Sequence, residues 1–154
     1  MQWTSDKGAG FTNGTSWEEI NPDFNTVNVA KQIGDSTSLL EHYRKLIQLR
    51  NAHSALSVGR TYIVDSNSNK LVTYLRSSPD ENILTVINLD NQLVTDSQLQ
   101  LEKGPLSGKY AAKSLLDDSA ISALDANASG GFDAYTPLPE IPPYGMILIQ
   151  LTPQ

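Results

Sequence analysis

The sequence has no cysteine. That excludes a disulfide framework, a thiolate metal site and a cysteine nucleophile. Histidine occurs only at His42 and His53, too few for an imidazole-rich metal cluster. Positive charge is in deficit. Eleven Lys and Arg stand against 17 Asp and Glu, a formal net charge of −6, with a pI near 4.7. A nucleic-acid backbone or an anionic membrane calls for a basic face, so neither is expected as a partner. No apolar run approaches the ~20 residues that cross a bilayer. The N-terminus shows neither the basic n-region nor the apolar h-region of a leader. Absence of cysteine suits a cytoplasm and a bacterial exterior alike.

What is abundant is turn chemistry. The 154 residues include ten Gly and eight Pro, with Ser, Asn, Asp and Thr throughout, and 39% are apolar. That composition suits a β-rich domain with many turns. The length suits one domain, or a domain with a further piece attached.

Residues 1–34 read as one long loop. GAGFTNGTSWEEINPDFNTVNV holds Gly, Asn and Pro at short intervals with no sustained period. Such loops are uncommon in compact domains unless they are functional or lie on a surface. DSTSLLEHYRKLIQLRNA then reads as a helix over about 36–52. Asp35 is a candidate N-cap, and Ser38 with Glu41 forms an alternative S-x-x-E capping box. Leu39, Leu40, Tyr43, Leu46 and Ile47 form one apolar stripe. A soft boundary follows at about 53–58, where the period changes. RTYIV, KLVTYLR, ENILTVINL, KYAAKSLL and YGMILIQL are short runs of strand formers, and QLVTDSQLQL is a further candidate. DSNSN, SSPDEN, KGPLSG and ANASGG separate them as turns. Strands in succession without intervening helices predict a mostly β fold, an antiparallel Greek-key β-sandwich preceded by a long loop and one helix.

Several patterns could carry chemistry, each with a plainer explanation. DSNSNK at 65–70 begins like a calcium loop. Lys70 stands where the turn glycine belongs and Arg76 where the bidentate Glu belongs. It reads as a turn between strands, and no metal or cofactor is expected. His42 and His53 lack a Ser or metal-ligand partner at workable spacing, and read as helix-surface residues. Glu18–Glu19, Asp80–Glu81 and Asp117–Asp118 are adjacent carboxylates. Neighbours on extended chain point apart, so these read as solvated loop charge rather than the facing pair that glycoside hydrolysis requires. Trp3, Phe11 and Trp17 anchor the loop by packing or stack on sugar rings, and are the candidate sugar contacts. Tyr62, Tyr74, Tyr110 and Tyr135 lie on or near strands, where packing or cross-strand pairing is the ordinary role.

Four segments in order, MQW, AGF, NPDFNTVNV and SLLEHYRKLIQLRNAHSAL, resemble the end of the catalytic barrel in the alpha-amylase family of glycoside hydrolases. The nearest branch holds oligo-1,6-glucosidases, alpha-glucosidases and trehalose synthases. YRKLIQLR, Tyr43 to Arg50, matches the helix of that group residue for residue. LVTYLR, NILTVINL and PPYGMILIQL are similar, more loosely, to the strands of its C-terminal sandwich.

The resemblance implies that residues 1–56 are a remnant of the barrel and 57–154 the C-terminal β-sandwich domain. The loop 1–34 would follow the eighth barrel strand, and the helix at about 36–52 would be the eighth barrel helix. Loops at the C-terminal face of such barrels build the active site. Trp3, Phe11 and Trp17 would then border a cleft for α-linked oligosaccharides. The family's nucleophile Asp, acid/base Glu and third Asp lie on earlier strands, and this sequence contains no N-H-D and no G-F-R-x-D. The expectation is a C-terminal fragment without catalytic residues, which supports barrel and cleft rim in a parent enzyme. A carbohydrate-binding β-sandwich module is the alternative. The barrel would be the natural partner. Without it, self-association through Leu39, Leu40, Tyr43, Leu46 and Ile47 is expected, because exposed apolar patches find partners.

Overall fold

The computed structural model describes residues 2–154. The chain divides into two compact units, Met1–Leu49 and Arg50–Gln154.

The first unit is built from turns. Trp3 and Thr4 both donate backbone N–H bonds to the Ala9 carbonyl, at 2.8 and 3.3 Å. The closing residues Lys7–Gly10 form a tight turn whose backbone is non-helical at Gly8 and Ala9. Gly8, Ala9 and Gly10 have φ of 75°, 51° and 74°. This left-handed run favours glycine, and a Cβ on Gly10 would come within 2.8 Å of Thr4 Oγ1. The carbonyls of Gln2 and Trp3 accept N–H bonds from Val29 and Ala30 at 3.0 and 2.9 Å. These last residues open a one-turn helix, α1 (Val29–Gln32). Asn28 caps it, accepting from the Lys31 N–H at 3.0 Å while its amide donates to the Phe24 carbonyl at 2.9 Å. The expected long loop over 1–34 therefore holds a left-handed turn at Lys7–Gly10 and one short helix, both below the length at which periodicity can be read.

The long helix, α2, runs Leu39–Ala52, so it starts later than the expected residue 36. The reason is local. Asp35 accepts both the Thr37 hydroxyl and the Thr37 N–H, at 2.7 and 2.9 Å, which makes an Asx turn instead of a cap. Those two bonds hold the Asp35 carboxyl below its ordinary pKa. Ser38 Oγ takes over, accepting from the Glu41 N–H at 3.3 Å. The box is only half closed, because Glu41 Oε1 accepts the Gly34 N–H at 3.1 Å instead of reaching back to Ser38. The stripe splits along its length. Leu39, Tyr43 and Ile47, at four-residue spacing, are exposed, while Leu40 and Leu46 are half-buried.

The second unit opens with α3 (Ser54–Val58), a five-residue helix, and continues as strands. In order they are β1 (Arg60–Ile63), β2 (Asp65–Ser66), β3 (Leu71–Ser78), β4 (Glu81–Asn88), β5 (Val94–Thr95), β6 (Leu99–Lys103), β7 (Lys109–Ser114), β8 (Leu124–Asp125), β9 (Gly130–Tyr135), β10 (Glu140–Ile141) and β11 (Met146–Pro153). One sheet has the order β1-β3-β4-β11-β7-β8, a second β2-β6-β9, and β5 pairs with β10. All pairings are antiparallel. The last strand inserts between β4 and β7, so the chain crosses between sheets as a Greek-key sandwich does. Leu75, Leu84 and Ile149 meet in register and face Leu99, Leu101, Phe132 and Tyr135 in one apolar core. The central strand β4 buries Ile83, Leu84, Thr85 and Val86 in succession, so both of its faces are covered.

Two strand expectations need correction. QLVTDSQLQL is not one strand. It forms β5 and β6 in different sheets, broken at Asp96 with φ of 53°. ANASGG reads as a turn, yet its glycines begin β9. A Cβ on Gly131 would lie 1.7 Å from the Leu101 carbonyl oxygen. The glycine is there for close backbone approach, and it masks the strand in the sequence.

Candidate functional site

The aromatic residues of the N-terminal unit are the first place to look for a ligand. Phe11, Trp17, Glu18, Glu19, Ile20, Asn21, Ser16 and Gln2 line an open hollow of about 350 Å³. The Lys7–Gly10 turn places Phe11 at its end, where the Phe11 N–H donates to the Gly8 carbonyl at 3.2 Å. Gln2 is held by its bond from Nε2 to Asp23 Oδ1 at 2.8 Å. Trp17 is 94% exposed and Phe11 50%, so both rings present surface that can stack. Glu18 and Glu19 are exposed beside them and can accept hydroxyl donors. Trp3 is half-exposed but does not line the hollow. Of the three aromatic candidates, two share one place.

The other candidates resolve into structure. The 65–70 segment lies between β1 and β3 and contains β2. Asn67 spends its amide on the Asp96 carbonyl and the Gln98 N–H, at 3.2 and 2.9 Å. Lys70 Nζ donates to Gln92 Oε1 at 2.8 Å. His42 is exposed on α2. His53 is not a surface histidine. Its Nδ1 lies 2.6 Å from Glu81 Oε1, and the two side chains are only 16% and 13% exposed. Glu81, likewise, is not solvated loop charge. It is the hub of a network between α3 and the large sheet that residue spacing could not reveal, since its partners lie 26 to 69 positions away.

The tyrosines of the sandwich are mostly packed. Tyr110 is buried and its hydroxyl accepts the Ser107 N–H at 3.1 Å. Tyr135 is buried against Phe132, edge to face at 5.7 Å. Its hydroxyl donates to the Ser122 carbonyl at 2.6 Å, and burial pushes its pKa well above the usual tyrosine range. Tyr62 and Tyr74 are half-buried. Among the described residues of 50–154, Tyr144 alone presents an exposed aromatic side chain. No platform of coplanar rings forms on either sheet.

Comparisons with known proteins agree on one relationship. The family described as Alpha amylase, catalytic domain, matches residues 1–59. The chain is 38% identical over 92 residues to a probable oligo-1,6-glucosidase 2 of Bacillus subtilis (strain 168), which covers 60% of this chain and 16% of that protein. It is 32% identical over 129 residues to the glucan 1,6-alpha-glucosidase of Streptococcus pneumoniae serotype 4, covering 82% of this chain and 23% of that protein. Among solved structures it is similar to the trehalulose synthase MutB from Pseudomonas mesoacidophila MX-45, at 29% identity and a TM-score of 0.70, over 98% of this chain and 24% of that one. The chain therefore spans less than a quarter of each of these relatives.

Proposed function

Because this chain belongs to the alpha-amylase family of glycoside hydrolases, we propose that it is a non-catalytic C-terminal portion of an enzyme acting on α-linked oligosaccharides. Its work there is to support the barrel and to supply part of the cleft rim. One observation carries the reading. The match to the catalytic domain covers residues 1–59, while the sequence holds no N-H-D and no G-F-R-x-D. A retaining mechanism requires two carboxyl groups about 5–5.5 Å apart across the scissile bond. Binding energy without them cannot run this reaction at a useful rate. In this reading the hollow beside Phe11 and Trp17 faces sugar, with the rings against C–H faces and Glu18 and Glu19 on hydroxyls.

The test has two arms. The purified chain should not hydrolyse an aryl α-glucoside, and activity that co-purifies through successive columns would overturn the non-catalytic assignment. Titration of the labelled chain with maltoheptaose and panose should move resonances of Phe11 and Trp17. Saturable shifts on a sheet face would instead favour the binding-module alternative. The lack of an exposed aromatic platform in the sandwich weighs against that alternative. No shift at millimolar sugar would remove the rim contact and leave the supporting role.

A further inference from the structure

Helix α3 has five residues, far too few to be stable alone. Opposite charges hold its two ends. At the N-terminal end Glu81 Oε2 accepts the Ala55 N–H at 3.3 Å. Glu81 Oε1 also accepts the Gln150 amide at 3.0 Å and lies 2.6 Å from His53 Nδ1. At the C-terminal end two guanidinium groups bind the carbonyls of Ala55, Leu56 and Ser57. Arg76 donates from Nε to the Ala55 carbonyl at 3.0 Å and from Nη2 to the Leu56 carbonyl at 3.4 Å. Arg50 donates to the carbonyls of Leu56 and Ser57. Carboxylate at the N–H end and guanidinium at the C=O end is the arrangement the helix dipole favours. Ala55 is fully buried, and Ser54 meets Ser78 at 2.7 Å. Gly59 closes the joint. A Cβ there would lie 2.4 Å from the Ala55 carbonyl oxygen and 2.9 Å from that of Ser77.

We propose that residues 50–58 are the first element of the sandwich rather than a tether to it, and that Glu81 is the positioning residue that holds them. The resemblance begins the sandwich at residue 57. The clamp places its start upstream, at the last turn of α2. Glu81 is suited to this because it presents two acceptor atoms to three donors on two different elements, α3 with its N-cap residue and β11.

The test is hydrogen exchange on the full 154-residue chain carrying Glu81→Gln. The new amide has one acceptor where three donors converge, and its NH₂ faces a donor. The Ala55 amide should exchange about tenfold faster, while the core amides of Leu84 and Ile149 stay protected, as expected when one local unit opens by itself. The His53 Nδ1 resonance should move with it. An unchanged Ala55 rate, or equal acceleration at Leu84 and Ile149, would overturn the proposal. Arg76→Lys gives a second reading should the first variant not fold. It keeps the charge but loses the fork, and should speed exchange at Gly59, whose N–H bonds the Ala55 carbonyl at 3.2 Å. Unaltered Gly59 protection would count equally against the clamp.

Discussion

The two units of this chain are held by different forces. Residues 50–154 carry an apolar core that includes Leu75, Leu84, Leu99, Phe132 and Ile149, none of them exposed. Among the described residues of 2–49 the buried ones are Ala9, Asn28 and Ser38. The sandwich buries side chains, whereas the N-terminal unit satisfies backbone groups through turns and caps. Hydrophobic burial is the dominant favourable term in folding, so the two should differ sharply in their response to substitution. The difference also fits the proposed role. An element with apolar side chains and almost no core of its own needs another surface to cover them. Val27, Ile33, Leu39, Tyr43 and Ile47 all remain exposed.

The largest effect should come from Phe132→Ala. It removes the largest fully buried side chain and should cost about 3–5 kcal/mol, read by urea unfolding of the sandwich. Ile33→Ala, at an exposed site, should stay within about 0.5 kcal/mol. Equal losses would erase the contrast. Gly131→Ala should follow, at about 1–3 kcal/mol or more, because its Cβ would overlap the Leu101 carbonyl. Asn28→Ala should cost about 1 kcal/mol of local stability, seen as faster exchange at the Lys31 amide with sandwich protection unchanged. If the sandwich loosened too, the units would not be energetically separate.

Tyr135 sharpens the comparison at high pH. Its pKa is raised in the folded chain, so folding favours the protonated form. Its contribution is complete below the unfolded value of about 10. It is lost as pH rises beyond that toward the folded value. Tyr135→Phe should flatten the alkaline arm of the stability profile while changing neutral stability little. A profile identical to that of the parent chain would show that the hydroxyl is not sheltered. The smallest effect belongs to the exposed ridge of α2. The chain should self-associate at high concentration, and Leu39→Lys with Ile47→Lys should weaken this in sedimentation. A monomer at every concentration would rule out this association.

Legibility did not follow that division. The long helix is readable from its apolar stripe, and the strands β1, β3, β4, β7 and β11 because each is a run of at least four residues rich in strand formers. The start of α2 was misplaced since Asp35 and Ser38 are both good caps, and only the Thr37 contacts show which one is free to act. Strand β9 was hidden by its glycines. The aromatic candidates were readable as residue types, but that Phe11 and Trp17 share a hollow with two glutamates, while Trp3 does not, depends on the turn at Lys7–Gly10. Nothing in the spacing pointed to Glu81.

Local chemistry, then, determined what sequence alone could show: periodic runs, caps, turns and a family motif all act over a few residues, and all can be read along the chain. Tertiary structure decided the rest. It chose which strands are neighbours, why Gly59 and Gly131 are glycines, and that Arg76 and Glu81 converge on one short helix, with Gln150 on Glu81. Those outcomes rest on side chains far apart in sequence that burial brings together, where an unpaired charge or amide would carry a desolvation penalty. That penalty selects a partner by its position in space, and no pattern along the chain records it.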